Sequence, residues 1–121
     1  MSRSVAKKVA IFPKFQVILG KDTILDPLRV DLLELVGETG SISEAARRVK
    51  VSYNHAWLLI RAINRALVES AVVSERGGKN GGGARLTDIG REVVTLYRQI
   101  ESESEKATEQ TRLSLRKHFR N

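Results

Sequence analysis

Residues 40 to 64 constrain this chain more than any other stretch: Gly-Ser-Ile-Ser-Glu-Ala-Ala-Arg-Arg-Val-Lys-Val-Ser-Tyr-Asn-His-Ala-Trp-Leu-Leu-Ile-Arg-Ala-Ile-Asn. Ser41 stands three residues before Glu44, the spacing of a capping box, which starts a helix near Ile42. Ala45, Ala46 and Val49 give that helix one small apolar face. The pattern breaks at Lys50-Val51-Ser52, and the Ser52 hydroxyl can cap a second helix. From Tyr53 onward Ala56, Ile60, Ile63 and Leu67 recur at helical spacing on one side, with Asn54, His55, Leu58, Arg61 and Arg65 mostly on the other. Two helices joined by a tight turn follow, the second exposed and basic. Small alanines let the helices sit close, and the polar side suits entry into the major groove of DNA. A helical hairpin with a merely solvated polar face has the same pattern, so the rest of the chain has to decide.

The flanking segments extend the motif. Phe15, Val17 and Leu19 alternate with Gln16 and Ile18 after Pro13, which reads as an edge strand ended by Gly20-Lys21. Asp26-Pro27 is a helix start, with Asp as cap and Pro at the first helical position. Leu28, Leu32, Leu35 and Val36 then make an apolar stripe that Gly37 or Gly40 stops. After Leu67, the short β-prone run Ala71-Val72-Val73-Ser74 leads into Glu75-Arg76-Gly77-Gly78-Lys79-Asn80-Gly81-Gly82-Gly83-Ala84-Arg85-Leu86. Glycines at that density hold neither a core nor a helix. Two strands with a basic tip make a wing, with Lys79 at the tip and Arg76 and Arg85 at its base. A nucleotide-phosphate loop is the weaker reading, because no G-x-x-x-x-G-K-[ST] occurs and the loop leads into a strand. A plain linker ranks between the two.

Thr87-Asp88 caps a further helix. Ile89, Val93, Leu96 and Ile100 form its stripe, extended by Val94 and Tyr97. That is more apolar length than a small core uses, so Ile89, Val93, Leu96, Tyr97 and Ile100 are expected to meet the same helix of a second copy. From Glu101 the chain turns polar, and Glu101, Glu103 and Glu105 read as a solvated face. Leu113, Leu115 and Phe119 then sit among Arg112, Arg116, Lys117 and Arg120, which either continue the helix or form a frayed basic tail. The organisation expected is a basic N-terminal arm at 1–10, a DNA-binding unit at 11–86, a long dimerisation helix at 87–106 and a basic tail at 107–121.

Composition narrows the function classes. A formal net charge of +7 and a pI near 10.1 suit a polyanionic partner, because each neutralised phosphate releases counterions. Cysteine is absent, and the two histidines, His55 and His118, are far apart, so neither a thiol nucleophile nor a clustered metal site is expected. No carboxylate pair sits in a glycine-rich pocket, and the reading is of a non-enzyme without cofactor. No apolar run approaches a membrane span, and the start MSRSVAKKVAIF lacks the apolar core of a signal peptide, so a cytoplasmic location is expected.

In this order the elements resemble a known family. The chain looks like the N-terminal DNA-binding domain of the molybdate-responsive (ModE-like) transcription regulators, relatives in design of the LysR-type winged helices. The residues that carry this are Gly40-Ser41-Ile42-Ser43 with Ala46, then Val51-Ser52-Tyr53 and Ala56-Trp57 with Ile60. The wing Gly77-Gly78-Lys79-Asn80-Gly81-Gly82-Gly83-Ala84, and Leu86-Thr87 with Gly90, complete it. The likeness spans residues 15 to 100. It implies a mainly α fold with a small β-hairpin wing: a dimeric winged helix-turn-helix whose second motif helix reads bases while the wing grips the backbone. Carried over by position, Ser52, Tyr53, Asn54, His55, Leu58 and Arg61 are the expected contacts from the recognition helix, and Arg76 and Lys79 those from the wing. Trp57 is expected to pack that helix onto the core or wing rather than to touch bases. Full family members carry C-terminal β-domains that bind molybdate; nothing comparable is present here, so no molybdate site is expected in this chain. The function expected is a sequence-specific regulator acting as a homodimer on a near-palindrome, with half-sites ~34 Å or a multiple apart. The alternatives are a winged helix used for protein–protein contact and a non-specific architectural DNA-binding protein.

Overall fold

The computed structural model describes residues 10–75 and 83–120. Its central post is helix α1, Pro27–Thr39. The Asp26 carboxylate accepts from the Arg29 amide at 2.9 Å, and Pro27 needs no amide partner at the first helical position. Gly40 ends the helix at φ 69°, a left-handed conformation that costs glycine little, and donates its amide to the Val36 carbonyl. The stripe read from the sequence supplies two of the four buried residues of the helix. Leu32 and Val36 are in the core, Leu28 and Leu35 lie at its edge, and Val30 and Leu33 complete it. A helix enclosed on most sides buries more than one stripe.

The helix pair follows: α2, Ile42–Val49, and α3, Tyr53–Ala66. The Ser41 hydroxyl accepts from the Glu44 amide at 3.0 Å. The return half of the capping box is not formed. The Ser41 amide donates to the Thr39 hydroxyl instead, and the Glu44 carboxylate holds Arg47 and Arg48. Lys50 makes the turn at φ 65°, and the Val51 amide closes back on the Ala46 carbonyl at 3.1 Å. Ser52 caps α3 through the His55 amide at 3.0 Å. Ala45 and Ala46 of α2 and Ala56, Leu59, Ile60 and Ile63 of α3 join the α1 core.

The single N-terminal edge strand expected from the sequence is a hairpin. Strand β1, Val17–Leu19, turns at Gly20 (φ 64°) and pairs antiparallel with β2, Asp22–Leu25. The register shifts between Val17 and Ile18. The extra residue is in β2, where Ile24 lies between the partners of Val17 and Ile18, and Leu19, expected inward with Phe15 and Val17, is 52% exposed at the turn. Ile24 and Leu25 of β2 enter the core in its place.

The wing is β3, Val72–Glu75, paired antiparallel with β4, Gly83–Leu86, in the register Val72 to Leu86 through Glu75 to Gly83. Three polar ties fix it. The Asn64 side chain of α3 accepts from the Ala71 and Val72 amides and donates to the Val72 carbonyl at 3.0 Å. The Ala84 amide donates to the Gly40 carbonyl at 3.0 Å, joining β4 to the end of α1. Thr87 donates its hydroxyl to the Ser70 carbonyl at 2.7 Å and its amide to the Ala71 carbonyl at 2.8 Å, and caps the next helix through the Gly90 amide. The architecture is a winged helix-turn-helix.

Helix α4, Asp88–Ala107, leaves the wing and crosses α1. Gly90 allows its close start, since a Cβ there would lie 2.4 Å from the Ala71 carbonyl oxygen. Arg98 of α4 holds Asp31 and Glu34 of α1 at 2.6 Å each, together with Glu101 on its own helix. The C-terminal residues form a separate helix, α5, Glu109–Arg116, broken from α4 at Thr108 and without a buried residue. The segment before β1 is stitched to both: Tyr97 stacks on Phe15 with ring centres 4.1 Å apart and donates its hydroxyl to the Phe15 carbonyl at 2.8 Å, and Arg112 reaches the Ile11 carbonyl at 3.0 Å.

Candidate nucleic-acid interface

The core holds α3 by Ala56, Leu59, Ile60 and Ile63. At 3.6 residues per turn, Asn54, Leu58, Arg61 and Arg65 then stack as one strip on the opposite side, and all four are exposed. His55 stands on one flank of the strip, Tyr53 and Trp57 on the other, and Ser52 at the N-terminal end, all exposed. Trp57 departs from the sequence expectation. It does not pack on the core but is 41% exposed, with the Arg61 guanidinium 5.4 Å above its ring. The signal was present in the sequence, because Tyr53, Trp57 and Arg61 are spaced four apart on the outer side. Size alone points a large aromatic inward, and the spacing overrides it. The stacking holds Arg61 by a cation–π contact that leaves its N–H donors free.

Charge is distributed in the same sense. Away from α3, six arginines are engaged by carboxylates: Arg29 by Asp26, Arg47 and Arg48 by Glu44, Arg85 by Glu75, Arg91 by Asp88, and Arg98 by Asp31, Glu34 and Glu101, while Arg112 is held by the Ile11 and Glu105 carbonyls and the Thr108 hydroxyl. The Glu44 carboxyl is held down to about 2 by hydrogen bonds from Arg47 and then Arg48. Arg98 is pushed above its ordinary value, chiefly by the Glu34 hydrogen bond, and stays charged. Among the described residues neither Arg61 nor Arg65 has a carboxylate partner. Unneutralised cations on a protruding helix attract a polyanion most strongly.

Of the wing residues singled out, Arg85 is exposed on β4, 3.7 Å from Glu75 across the hairpin. Arg76 and Lys79 lie outside the described residues, as do residues 1–9 of the basic arm. No group of three or more His, Cys, Asp or Glu side chains that could hold a metal ion occurs among the described residues. No described helix is long and apolar enough to cross a membrane.

The α4 stripe divides. Leu96 and Ile100 are 50% and 44% exposed, and Ile89 and Val93 are partly exposed beside them. The four repeat at spacings of four, three and four, a seam of coiled-coil type. Tyr97, expected with them, is instead 2% exposed within its own protomer against Phe15. Burial of the ring, followed by the charges of Glu101 and Asp26, pushes its phenol up to about 12.

No family model matches the chain. It is 44% identical over 85 residues to the molybdenum transport protein ModE of Azotobacter vinelandii, covering 70% of this chain and 32% of the relative. It is 47% identical over 74 residues to the molybdenum-pterin-binding protein MopB of Rhodobacter capsulatus, covering 61% and 27%. The DNA-binding transcriptional dual regulator ModE of Escherichia coli K12 is 38% identical over 82 residues, 68% of this chain and 31% of its own length. The chain thus spans less than a third of the length of these relatives. Among solved structures, ArgP from Mycobacterium tuberculosis superposes with a TM-score of 0.53 at 23% identity, over 71% of this chain and 30% of that one, which is a likeness of fold.

Proposed function

We propose, from the likeness to ModE regulators, that this chain is the DNA-binding module of a transcription regulator and works as a homodimer on near-palindromic duplex DNA. The observation that carries this reading is the outer strip of α3. Asn54, Arg61 and Arg65 are exposed there without a carboxylate among them, while Arg29, Arg47, Arg48, Arg85, Arg91 and Arg98 are each paired with an acid. The N-terminal turn of α3 enters the major groove, where Asn54 pairs with an adenine edge and Ser52 or His55 meets a neighbouring base. Tyr53 and Leu58 supply apolar contact. Arg61, steadied on Trp57, supplies phosphate affinity. Arg76, Lys79 and Arg85 grip the flanking backbone from the wing. Ile89, Val93, Leu96 and Ile100 pair with their counterparts in a second copy, setting two α3 helices ~34 Å or a multiple apart. The module is a binding protein rather than an enzyme, and the reading gives molybdate no site on it.

A titration against the DNA upstream of its own coding sequence and against a shuffled duplex, at two salt concentrations, tests this. Wild-type protein is expected to prefer the upstream duplex and to weaken as salt rises. Arg61→Ala weakens binding to both duplexes alike, whereas Asn54→Ala lowers the preference by about 1–3 kcal/mol. No binding at low salt would instead favour a protein partner, for which exposed Tyr53, Trp57 and Leu58 are suitable anchors.

A further inference from the structure

The β1–β2 hairpin flanks α3 on the side away from Tyr53 and Trp57. Between them lies a cleft of about 580 Å³ whose lining includes Lys21, Asp22, Thr23, Arg29, Ala62 and Arg65. Its charges are three cations and one carboxylate. Arg29 is already held by Asp26 at 2.7 Å. Lys21 and Arg65 are exposed, and among the described residues neither has an ion-pair partner. Lys21 is placed there by the Gly20 turn, and β2 is seated beside α3 by Ile24, which is buried in the shared core.

We infer that the hairpin is a second backbone clamp, in which Lys21 and Arg65 together take a phosphate of duplex DNA at the C-terminal end of α3. The inference rests on the DNA-binding reading above. Helix α3 has 14 residues and is therefore about 21 Å long, against a major groove about 12 Å wide. With its N-terminal turn on base edges, its C-terminal half reaches the phosphate wall. Arg65 stands at that end, and Lys21 meets the same wall from the facing hairpin. The clamp therefore grips at the opposite end of the recognition helix from Ser52, Tyr53 and Asn54. It adds affinity without reading sequence.

The test uses the full chain and a random-sequence duplex at ~50 and ~200 mM salt. Each phosphate contact contributes a slope of about 0.9 in log affinity against log salt, so Lys21→Ala is expected to shrink the ratio of the two affinities about 3-fold. Lys21→Glu shrinks it at least as much, and neither variant changes the preference among sequences. Lys106→Ala, an equal charge loss on exposed α4, is expected to leave the ratio unchanged. If Arg61→Ala weakens binding while Lys21→Ala matches wild type, the clamp is overturned and the DNA reading stands. An equal effect of Lys106→Ala reduces Lys21 to net charge and also overturns the clamp. If wild-type protein fails to bind duplex at either salt, the DNA reading itself has failed and the clamp fails with it.

Discussion

At the scale of single residues, Gly90 shows most directly how close contact is enforced. A methyl group there meets the Ala71 carbonyl oxygen at 2.4 Å and the Leu86 side chain at 2.6 Å. That oxygen also accepts the Thr87 amide at 2.8 Å, so it cannot withdraw without loosening the cap of α4. Gly90→Ala is expected to cost about 1–3 kcal/mol by overpacking, read as a lower midpoint in urea unfolding with an unchanged slope. A variant within 0.3 kcal/mol of wild type (roughly the limit of such measurements) would mean that the helix start has room to shift. Gly90 was visible in the sequence as part of Leu-Thr-x-x-Gly, but its reason was not, since the clash is with residues brought up by the fold. Asn64 is the same kind of case. Nothing local distinguishes it from another polar residue on the outer strip, and only the return of Ala71 and Val72 beneath α3 gives its amide three bonds.

At the scale of elements, the caps and stripes were legible because they are local. Asp26, Ser41, Ser52 and Thr87 each accept the amide three residues on. Strand β2 is weaker in the sequence, although Gly20-Lys21 between two β-prone runs is a two-residue hairpin signal. Tyr97 differs from its expected place in the seam for a related reason: period alone does not distinguish a seam offered to a partner from a ring that covers the segment ahead of β1. Its burial has a consequence in alkali. The folded phenol is raised from 10.0 to about 12, so the neutral form is favoured in the native state. The contribution is complete below pH 10 and is lost as pH rises from about 10 to about 12, where the unfolded chain binds fewer protons. In a Tyr53→Phe background, phenolate absorbance is expected to rise with a midpoint about 12 in native protein and about 10 in urea. A native midpoint of about 10 would remove the argument.

At the scale of the whole molecule, charge is paired in one place and unpaired in another. Arg98 gathers Asp31, Glu34 and Glu101 where α4 crosses α1, while α3 presents its arginines unpaired. The proposed dimer pairs α4 with α4. Leu96 and Ile100 are expected to hold that pairing, and half of each side chain is already exposed in the single protomer. Leu96→Lys with Ile100→Lys is therefore expected to convert a dimer to a monomer by light scattering, with helical content and single-chain stability retained. A wild-type monomer at all concentrations, or a dimeric variant, would exclude this seam. Duplex affinity of the monomeric variant should fall as the two linked contacts become one.

The tie from Arg112 to the Ile11 carbonyl spans 101 residues of sequence. Closing so long a loop carries a large entropic cost, and nothing in α5 is buried to offset it. In kinetic terms, the helix pair and the wing, built from contacts close in sequence, are expected to condense first, and the N-terminal strap to lace onto α4 and α5 afterwards. The same order run backwards leads us to expect the Arg112 tie to Ile11 to open early, read as fast amide exchange in α5 beside slow exchange in α1 and α3.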